Sequence, residues 1–498
     1  MSNPNRALKF FASRSAEWWE KQGEKKALET FHEAAEKVPA YRDFLNKNGI
    51  KDHTKIQTIE DFKKYVPITT KENYIFKYDL KERLSVPYSR LFTISTTSGT
   101  TGKPVYWPRL AVQDKMLSFY YELICRNIYK IHEIPTLFII CYSLGNYIAG
   151  ELNTFAWKEA ALRNKNKITV ATPGSDIEGV LEILDEFIDK YDQIIIGAYP
   201  SFFKLLLDEG EKRGIEWQKY NIKWHYGGEA CSPKLLEKIK KKVLGERVDY
   251  SFVLGIYGTA DAGGLAFGNP FTAILQEMIN TNHNIKKKLE EREIRIEGSL
   301  LQINTLAYFI EELNNYIVIT CGGAVPLVRY NIKDLGTITP FNKVMETFNE
   351  EKIDIFKILN EKIPFYYLFK QPLIAVKGRE QCVSLDGANV FPYQIENLIE
   401  SSPWFNSFKI SKKILEDGNS KFVVYLELKD GKTPSQEEVE KLKKEYHEKI
   451  LNHLLKINAD FRRSYQDNPA LCDPEIVIRK FGELEFVPPK SGKIKYVI

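Results

Sequence analysis

Apolar and polar residues alternate along the first half of the chain in blocks that have the lengths of strands and helices. Short, almost continuous apolar runs predict buried β-strands at 136–141, 167–171, 193–196, 222–225 and 250–256. Between them, apolar residues recur at helical spacing over 177–190 and 201–212, which predicts amphipathic helices. Strands that alternate with helices indicate a layered α/β domain with a largely parallel sheet, whose ligands lie at the carboxyl ends of its strands.

The segments before and after this block have other patterns. Residues 16–38 are rich in Glu, Lys and Ala with apolar residues at helical spacing, and they predict a helix. Residues 300–320 predict strands of a smaller β subdomain. The first 380 residues therefore form, in this interpretation, one large layered domain, at 1–380.

The last part of the chain predicts a separate small α+β domain, at 381–498. Apolar alternation over 408–415 and 421–428 predicts a β-hairpin. Ser435 and Glu438 have the spacing of a capping box at the start of a helix. One face of that helix is apolar: Val439, Leu442, Tyr446, Ile450 and Leu454.

Composition narrows the class of protein. The 498 residues are 43% hydrophobic and 28% charged, which is typical of a soluble globular protein with two to four domains or subdomains. A net charge of +5, from 71 basic and 66 acidic residues, gives no electrostatic case for nucleic-acid binding. The six cysteines, without a Cys-x-x-Cys pair, indicate free thiols in a reducing cytosol. The most apolar stretch, 134–149, is too short to span a bilayer, and 1–15 has no signal-peptide core, so we expect a cytoplasmic protein.

One polar stretch has a composition that suits phosphate binding. Six hydroxyl side chains lie between positions 95 and 101, with Gly99 and Gly102 among them and Lys103 after them. Glycine allows backbone N–H groups to point at an anion, and hydroxyls and lysine add donors and charge. The P-loop of nucleotide triphosphatases is excluded, because it needs four residues between its glycine and its Gly-Lys pair, and here two intervene. A solvated Ser/Thr/Gly loop is the alternative.

The sequence of this stretch resembles the phosphate-loop signature of the adenylate-forming superfamily, and it reads Ser98-Gly-Thr-Thr-Gly-Lys-Pro104. That superfamily contains acyl-CoA synthetases, luciferases and the adenylation domains of peptide synthetases. The layout before this stretch is similar to the phenylacetate-CoA ligase branch, with its capsular-polysaccharide and coenzyme F390 synthetase relatives. The resemblance implies that the loop holds the β- and γ-phosphates of ATP, and that Thr100 and Lys103 also assist catalysis. The residues concerned are Thr97, Ser98, Gly99, Thr100, Thr101, Gly102 and Lys103.

Two further motifs follow predicted strands. Gly227, Gly228 and Glu229 lie where the family has a loop that lines the adenine pocket, although Gly-Gly-Glu alone is most often a turn. Residues 257–261, Tyr-Gly-Thr-Ala-Asp, resemble the family motif Tyr-Gly-x-Thr/Ser-Glu. The resemblance assigns Tyr257 to adenine, Gly258 and Thr259 to the nucleotide, and Asp261 to Mg²⁺. The sequence departs from the family where alanine stands at position 260 and where aspartate replaces glutamate, although aspartate still offers a hard oxygen ligand.

Three motifs complete the resemblance. Residues 326–336 resemble the family's Arg-Tyr-x-Thr-Gly-Asp motif, which makes Asp334 the candidate for both ribose hydroxyls. Residues 376–379, followed by 386–392, resemble the hinge of a mobile C-terminal lid, with Gln381 where Asp or Lys is usual, and the resemblance places Arg379 among the nucleotide-binding residues. The tail resembles the terminal Gly-Lys motif, so Lys493 is the candidate for the reacting oxygens when the lid closes.

These motifs occur in the family's order over nearly the whole chain, and they predict an ATP- and Mg²⁺-dependent ligase that forms an acyl-adenylate and transfers the acyl group to coenzyme A. An amine acceptor, or nucleotidyl transfer alone, are the alternatives within the fold. An alternative of another class is a non-catalytic nucleotide-binding scaffold, which the departures at 260, 261 and 381 favour and Lys493 opposes. We expect the acid pocket to take an aryl or medium-sized apolar acid. Its candidate residues are Tyr142, Asn146, Tyr147, Gly197 and Pro200. Small-molecule partners are expected, and a homodimer stays open.

Overall fold

A computed structural model describes residues 4–96, 105–163, 166–228, 231, 233–296, 298–378, 382–416, 419–483 and 497. Several predicted site residues lie outside these ranges: Thr97, Ser98, Gly99, Thr100, Thr101, Gly102, Lys103, Glu229, Arg379, Gln381 and Lys493.

The strands of the described chain are β1 Thr93–Thr96, β2 Tyr106–Arg109, β3 Thr136–Ile140, β4 Ile168–Ala171, β5 Gln193–Gly197, β6 Ile222–Gly227, β7 Val253–Thr259, β8 Gly263–Phe267, β9 Ser299–Ile303, β10 Phe309–Leu313, β11 Tyr316–Cys321, β12 Leu327–Thr339, β13 Leu373–Gly378, β14 Val383–Leu385, β15 Ala388–Val390, β16 Phe405–Ile414, β17 Ser420–Leu428 and β18 Glu475–Arg479.

The helices are α1 Pro4–Ala12, α2 Ala16–Lys37, α3 Pro39–Lys47, α4 Ile59–Tyr65, α5 Leu80–Arg83, α6 Ala111–Tyr129, α7 Ile148–Leu162, α8 Ile177–Phe187, α9 Pro200–Lys212, α10 Pro233–Leu244, α11 Pro270–Thr281, α12 His283–Glu291, α13 Phe341–Glu350, α14 Ile355–Lys362, α15 Tyr393–Glu400, α16 Gln436–Ile457, α17 Ala459–Asp467 and α18 Pro469–Cys472.

A long mixed sheet organises the molecule. Within the described residues it has eleven strands in the order β10-β11-β12-β13-β9-β8-β7-β6-β5-β3-β4. The predicted buried strands form its parallel half, because β4, β3, β5, β6 and β7 pair side by side in parallel. Strands β3 and β5 are buried at every position, and helices α6 to α10 contribute side chains to the same core. The α/β fold with a parallel-rich sheet is therefore confirmed.

The strands expected in a smaller β subdomain continue this same sheet. From β8 onward every neighbouring pair is antiparallel, through β9, β13, β12 and β11 to β10 at the edge. Strand β12 is long, and Lys333 within it has a positive φ of 62°, at an interruption of its pairing with β11. The segment that carries Asp334 is therefore an irregular strand rather than a loop.

The C-terminal residues have an apolar core of their own. Strands β16 and β17 form the predicted antiparallel hairpin, and β18 adds to β17 in parallel. Helix α16 begins after Ser435, which forms the predicted capping box with Glu438. Its apolar face, Leu442, Tyr446, Ile450 and Leu454, is buried against these strands. The predicted α+β unit is thus present, and the boundary between 380 and 381 stays a prediction. In the described part of the chain, no helix has the length and hydropathy needed to cross a bilayer.

Candidate active site

A cleft of about 1520 Å³ lies between the carboxyl ends of the parallel strands and the C-terminal residues. One wall comes from the large sheet and includes Thr96, Gly228, Tyr257, Asp261 and Asp334. The facing wall includes Asp386, Gly387, Asn389, Lys412 and Arg463. Because carboxyl ends of parallel strands meet at one edge of the sheet, residues from distant parts of the sequence meet here.

Most of the described candidates line this cleft. They are Tyr147, Pro200, Gly228, Tyr257, Gly258, Thr259, Asp261 and Asp334. Gly227 ends β6, where a Cβ atom would lie 3.0 Å from the carbonyl oxygen of Ile256 on the neighbouring strand. Asn146 is exposed, and its carbonyl oxygen accepts a hydrogen bond from the backbone N–H of Thr96 at 3.0 Å.

Tyr142 and Gly197 lie behind the wall of the cleft rather than in it, which corrects the expectation that they contact the acid directly. Tyr142 is 1% exposed and donates a hydrogen bond to the carbonyl oxygen of His225 at 2.7 Å. Its burial raises the pKa of the Tyr142 hydroxyl well above the ordinary value. A Cβ atom at Gly197 would lie 3.2 Å from the ring of Tyr142. The tyrosine that reaches the cleft from this direction is Tyr199, whose ring packs edge-on against Tyr142 at 5.1 Å.

Two glycines leave room for the ring of Tyr199. Gly228 has a φ of +77°, and a Cβ atom there would lie 2.8 Å from Cε1 of Tyr199. Gly387, from the C-terminal residues, has a φ of +87° and would place a Cβ atom 3.1 Å from the same ring. Tyr199 is thus held between the two walls of the cleft, and both glycines are required by backbone conformation and by space.

The residues beside the phosphate-loop segment are firmly held. Strands β1 and β2 pair antiparallel, with Thr96 opposite Tyr106, and Thr96 also forms a parallel bridge to Tyr147. At the far end of β2, Nε of Arg109 contacts Oδ1 of Asp114 at 2.6 Å, with both side chains almost completely buried. This ion pair fastens the hairpin to helix α6. Thr96, the last described residue before 97–104, lies on the cleft.

Two tyrosine–aspartate hydrogen bonds connect the predicted adenine and metal motif with the predicted ribose motif. The hydroxyl of Tyr257 donates to Oδ2 of Asp334 at 2.8 Å. In the opposite direction, the hydroxyl of Tyr330 donates to Oδ2 of Asp261 at 2.8 Å. Each motif therefore supplies a tyrosine to the carboxylate of the other. The sequence indicates Tyr257, Asp261 and Asp334, but Tyr330 is found only from the structure.

Arg329, next to Tyr330, has a structural position. Its Nε and Nη2 atoms donate to the two carboxylate oxygens of Glu311 at 3.1 and 3.0 Å. Its Nη1 atom donates to the carbonyl oxygens of Lys63 and Val66 at 2.6 and 2.7 Å. The guanidinium group therefore ties β12 to β10 and to the end of α4, away from the cleft.

Asp261 has the chemistry of a single magnesium ligand. Its side chain lies on the cleft wall, and among the described residues no lysine or arginine forms an ion pair with it. The described residues contain no group of three His, Cys, Asp or Glu side chains that could hold a metal. Mg²⁺ commonly binds through one or two carboxylates, with phosphate oxygens and water as its other ligands. The donor set therefore fits Mg²⁺ that arrives with a nucleotide, with Asp261 as its protein ligand.

Helix α17 of the C-terminal unit contacts the other wall directly. Oδ2 of Asp467 accepts hydrogen bonds from Ser175 at 2.5 Å and from Nε of Arg463 at 3.1 Å. Ser143 donates to the same oxygen at 3.4 Å. The two serine contacts join the walls of the cleft, and no sequence motif indicates them.

No family model and no curated protein matches the chain. Among solved structures, it is similar to 2-hydroxyisobutyryl-CoA ligase in complex with 2-HIB-AMP and CoA in the thioesterification state. The identity is 14%, the TM-score is 0.63, and the match covers 98% of this chain and 90% of that one. The postadenylation state of that ligase, in complex with 2-HIB-AMP, matches at 13% identity and a TM-score of 0.54, over 96% and 89% of the two chains. Its open conformation, in complex with 2-HIB-AMP and CoA, has the same identity and TM-score, over 96% and 91%. The chain therefore shares its fold with 2-hydroxyisobutyryl-CoA ligase.

Proposed function

We propose that this protein is an adenylate-forming ligase, which activates a carboxylic acid with Mg²⁺ and ATP and then transfers the acyl group to coenzyme A. The observation that carries the proposal is that Tyr257, Asp261 and Asp334 meet on one wall of the cleft. They come from two segments of the chain, 257–261 and 326–336, which were selected by sequence motif alone. The shared fold with an enzyme solved with an AMP adduct and CoA supports the same proposal.

In the first step of this proposal, a carboxylate oxygen of the acid attacks the α-phosphorus of ATP. The bond between that phosphorus and the oxygen bridging to the β-phosphate breaks, and pyrophosphate leaves. Nucleotidyl transfer of this kind depends mainly on position and on neutralisation of charge. A magnesium ion held through Asp261 would supply positive charge to the phosphate oxygens.

The chain's own residues orient the nucleotide. Tyr257 would pack against the adenine, while its hydroxyl holds Asp334 at 2.8 Å. That bond engages Oδ2 of Asp334, and the ribose hydroxyls would donate to the carboxylate as well. Residues 97–103 would hold the β- and γ-phosphates, and Lys493 the reacting oxygens. Arg379 would contact the nucleotide, and a hinge near Gln381 would join the two domains.

In the second step the thiol sulfur of coenzyme A attacks the acyl carbon, the bond from that carbon to the AMP oxygen breaks, and the thiol proton is lost to solvent. The cleft supports a second substrate, because its volume of about 1520 Å³ exceeds the range of roughly 300–1,000 Å³ that is usual for one small ligand. The higher TM-score with the thioesterification state, 0.63 against 0.54, also favours this step for the arrangement described.

The acid lies, in this proposal, beside Tyr147, Tyr199 and Pro200. These residues present aromatic and apolar surface to the cleft. Such a wall favours an aryl or medium-sized apolar acid over a highly charged one. Within the adenylate-forming superfamily, the sequence motifs favour the phenylacetate-CoA ligase branch.

The test is a pyrophosphate-release screen over aryl, fatty and amino acids, each with and without coenzyme A. Hydroxylamine in parallel reactions traps the activated acyl group as a hydroxamate. We expect at least one acid to give release that coenzyme A stimulates. Hydroxamate without stimulation by coenzyme A would favour an amine acceptor. If ATP binds but no acid in the screen causes pyrophosphate release, the proposal is contradicted and a nucleotide-binding scaffold is favoured.

A further inference from the structure

Tyr330 is a buried side chain whose ring and backbone are both in contact with other parts of the chain. It is 0% exposed, and its ring packs against that of Trp107 with 6.3 Å between centroids. The backbone on both sides of Tyr330 is hydrogen-bonded to Thr69. The N–H of Thr69 donates to the carbonyl oxygen of Arg329 at 3.0 Å, and the N–H of Asn331 donates to the carbonyl oxygen of Thr69 at 2.9 Å. The position of the Tyr330 hydroxyl is therefore set by strand β12 and by packing.

That hydroxyl meets the carboxylate of Asp261, which lies 69 residues earlier in the chain. Asp261 occupies the turn between β7 and β8, two residues after Thr259. The bond engages Oδ2 at 2.8 Å, and among the described residues no other side chain donates to this carboxylate. One oxygen is thus held by a rigid buried donor, while Oδ1 stays available to a ligand in the cleft.

A short carboxylate that binds Mg²⁺ through one oxygen needs such support. Mg²⁺ demands near-ideal octahedral geometry, and hydrogen bonds from outside the coordination shell orient its ligands. An aspartate on a turn could otherwise rotate about χ1 and χ2. We propose that Tyr330 is a positioning residue that fixes the Asp261 carboxylate for Mg²⁺ binding. This inference rests on the proposed function, which assigns the metal to Asp261.

The readout is ATP affinity rather than turnover. ATP binding is measured by calorimetry without any acid, once with saturating Mg²⁺ and once with EDTA, and the ratio of the two affinities is the magnesium-dependent gain. Removal of a group that orients a metal ligand typically costs about 10- to 100-fold in metal affinity. We expect Tyr330→Phe to lower the magnesium-dependent gain about tenfold, and to leave ATP affinity in EDTA unchanged.

The chain offers a matched control in the same turn. The hydroxyl of Tyr308 is also buried and donates to the carbonyl oxygen of Ala262 at 2.8 Å, one residue after Asp261. Tyr308→Phe removes an equivalent hydroxyl without touching the carboxylate, so it should leave the gain unchanged. In the Asp261→Ala background, Tyr330→Phe should cause no further loss of the gain.

The outcomes separate this inference from the proposed function. Loss of the gain in Asp261→Ala, with full gain in Tyr330→Phe, would overturn the inference and leave the metal assignment intact. Full gain in Asp261→Ala would overturn the metal assignment itself. Equal losses in Tyr330→Phe and Tyr308→Phe would mean that the turn is merely loosened, which also contradicts the inference.

Discussion

The hydroxyl of Tyr257 donates a hydrogen bond to Oδ2 of Asp334 at 2.8 Å, between residues that are 77 positions apart. Tyr257 lies near the end of β7, and Asp334 is buried within the irregular strand β12. The bond joins the candidate adenine contact to the candidate ribose contact. A nucleotide bound between them would therefore meet a preformed pair rather than two independent side chains.

Tyr257→Phe should weaken ATP binding and should reduce the protein's preference for ATP over 2′-deoxy-ATP. Hydrogen bonds to charged groups contribute about 1.5–3 kcal/mol, so ATP affinity should fall roughly tenfold or more. Calorimetry with ATP and with 2′-deoxy-ATP measures both effects, and the ratio of the two affinities should move toward one. An equal loss for both nucleotides would mean that Tyr257 acts through adenine alone.

Gly228→Ala should disturb the cleft wall as well as the backbone. The positive φ of 77° strains any other residue, and the new methyl group would lie 2.8 Å from Tyr199. The matched control is Gly214→Ala, where φ is +89° but nothing lies within 4 Å. Both variants should lose about 1–2 kcal/mol of unfolding free energy in urea, the cost of the left-handed conformation. Only Gly228→Ala should also lose ATP affinity, and an equal loss in Gly214→Ala would contradict this explanation.

Asp114→Asn should destabilise the hairpin that flanks the phosphate-loop segment. Arg109 and Asp114 are 4% and 0% exposed, so the substitution leaves a buried guanidinium without its carboxylate. Removing one member of a buried ion pair typically costs about 3–5 kcal/mol. An exposed pair, Lys25 with Glu29 at 3.7 Å, provides the control, since Glu29→Gln should cost less than about 1 kcal/mol. Similar unfolding free energies for the two variants would show that the buried pair adds no stability.

His225 should make the fold less stable in acid. Burial lowers the pKa of His225 to about 3, and its Nε2 atom has no hydrogen-bond partner among the described residues. Between about pH 6.5 and about pH 3, the unfolded chain binds a proton at this histidine that the folded chain does not bind. The free energy of unfolding therefore falls as the pH falls, by about 1.4 kcal/mol per pH unit. His225→Gln should lose that part of the slope in urea unfolding measured from pH 7 to pH 4. Identical slopes for variant and wild type would exclude His225 as the cause.

The sequence predicted the elements whose patterns are local. The parallel strands have continuous apolar runs, and the capping box of α16 is read from Ser435 and Glu438. Strand β7 was predicted to end at 256, but it continues to Thr259. Glycine has a low strand propensity, yet Gly258 is needed because a Cβ atom there would lie 2.8 Å from the carbonyl oxygen of Gly263 on the paired strand.

Contacts between distant segments were beyond sequence reasoning. The motifs selected Asp261 and Asp334, but the tyrosine that reaches each carboxylate depends on how β7 and β12 are placed in three dimensions. The same limit explains why the sequence did not predict the position of the Tyr142 side chain, because an aromatic residue after a buried strand can face the cleft or the core. Here it faces His225 in the core, and Tyr199 takes the position on the cleft.

The exchange of labelled pyrophosphate into ATP measures adenylate formation by itself, because it requires a reversible acyl-adenylate and no second acceptor. The exchange should depend on a carboxylic acid and on Mg²⁺, and it should be lost in Asp334→Ala while the variant stays folded. Acid-independent exchange, no exchange with any acid in the panel, or full exchange in a folded Asp334→Ala protein would contradict the proposed function.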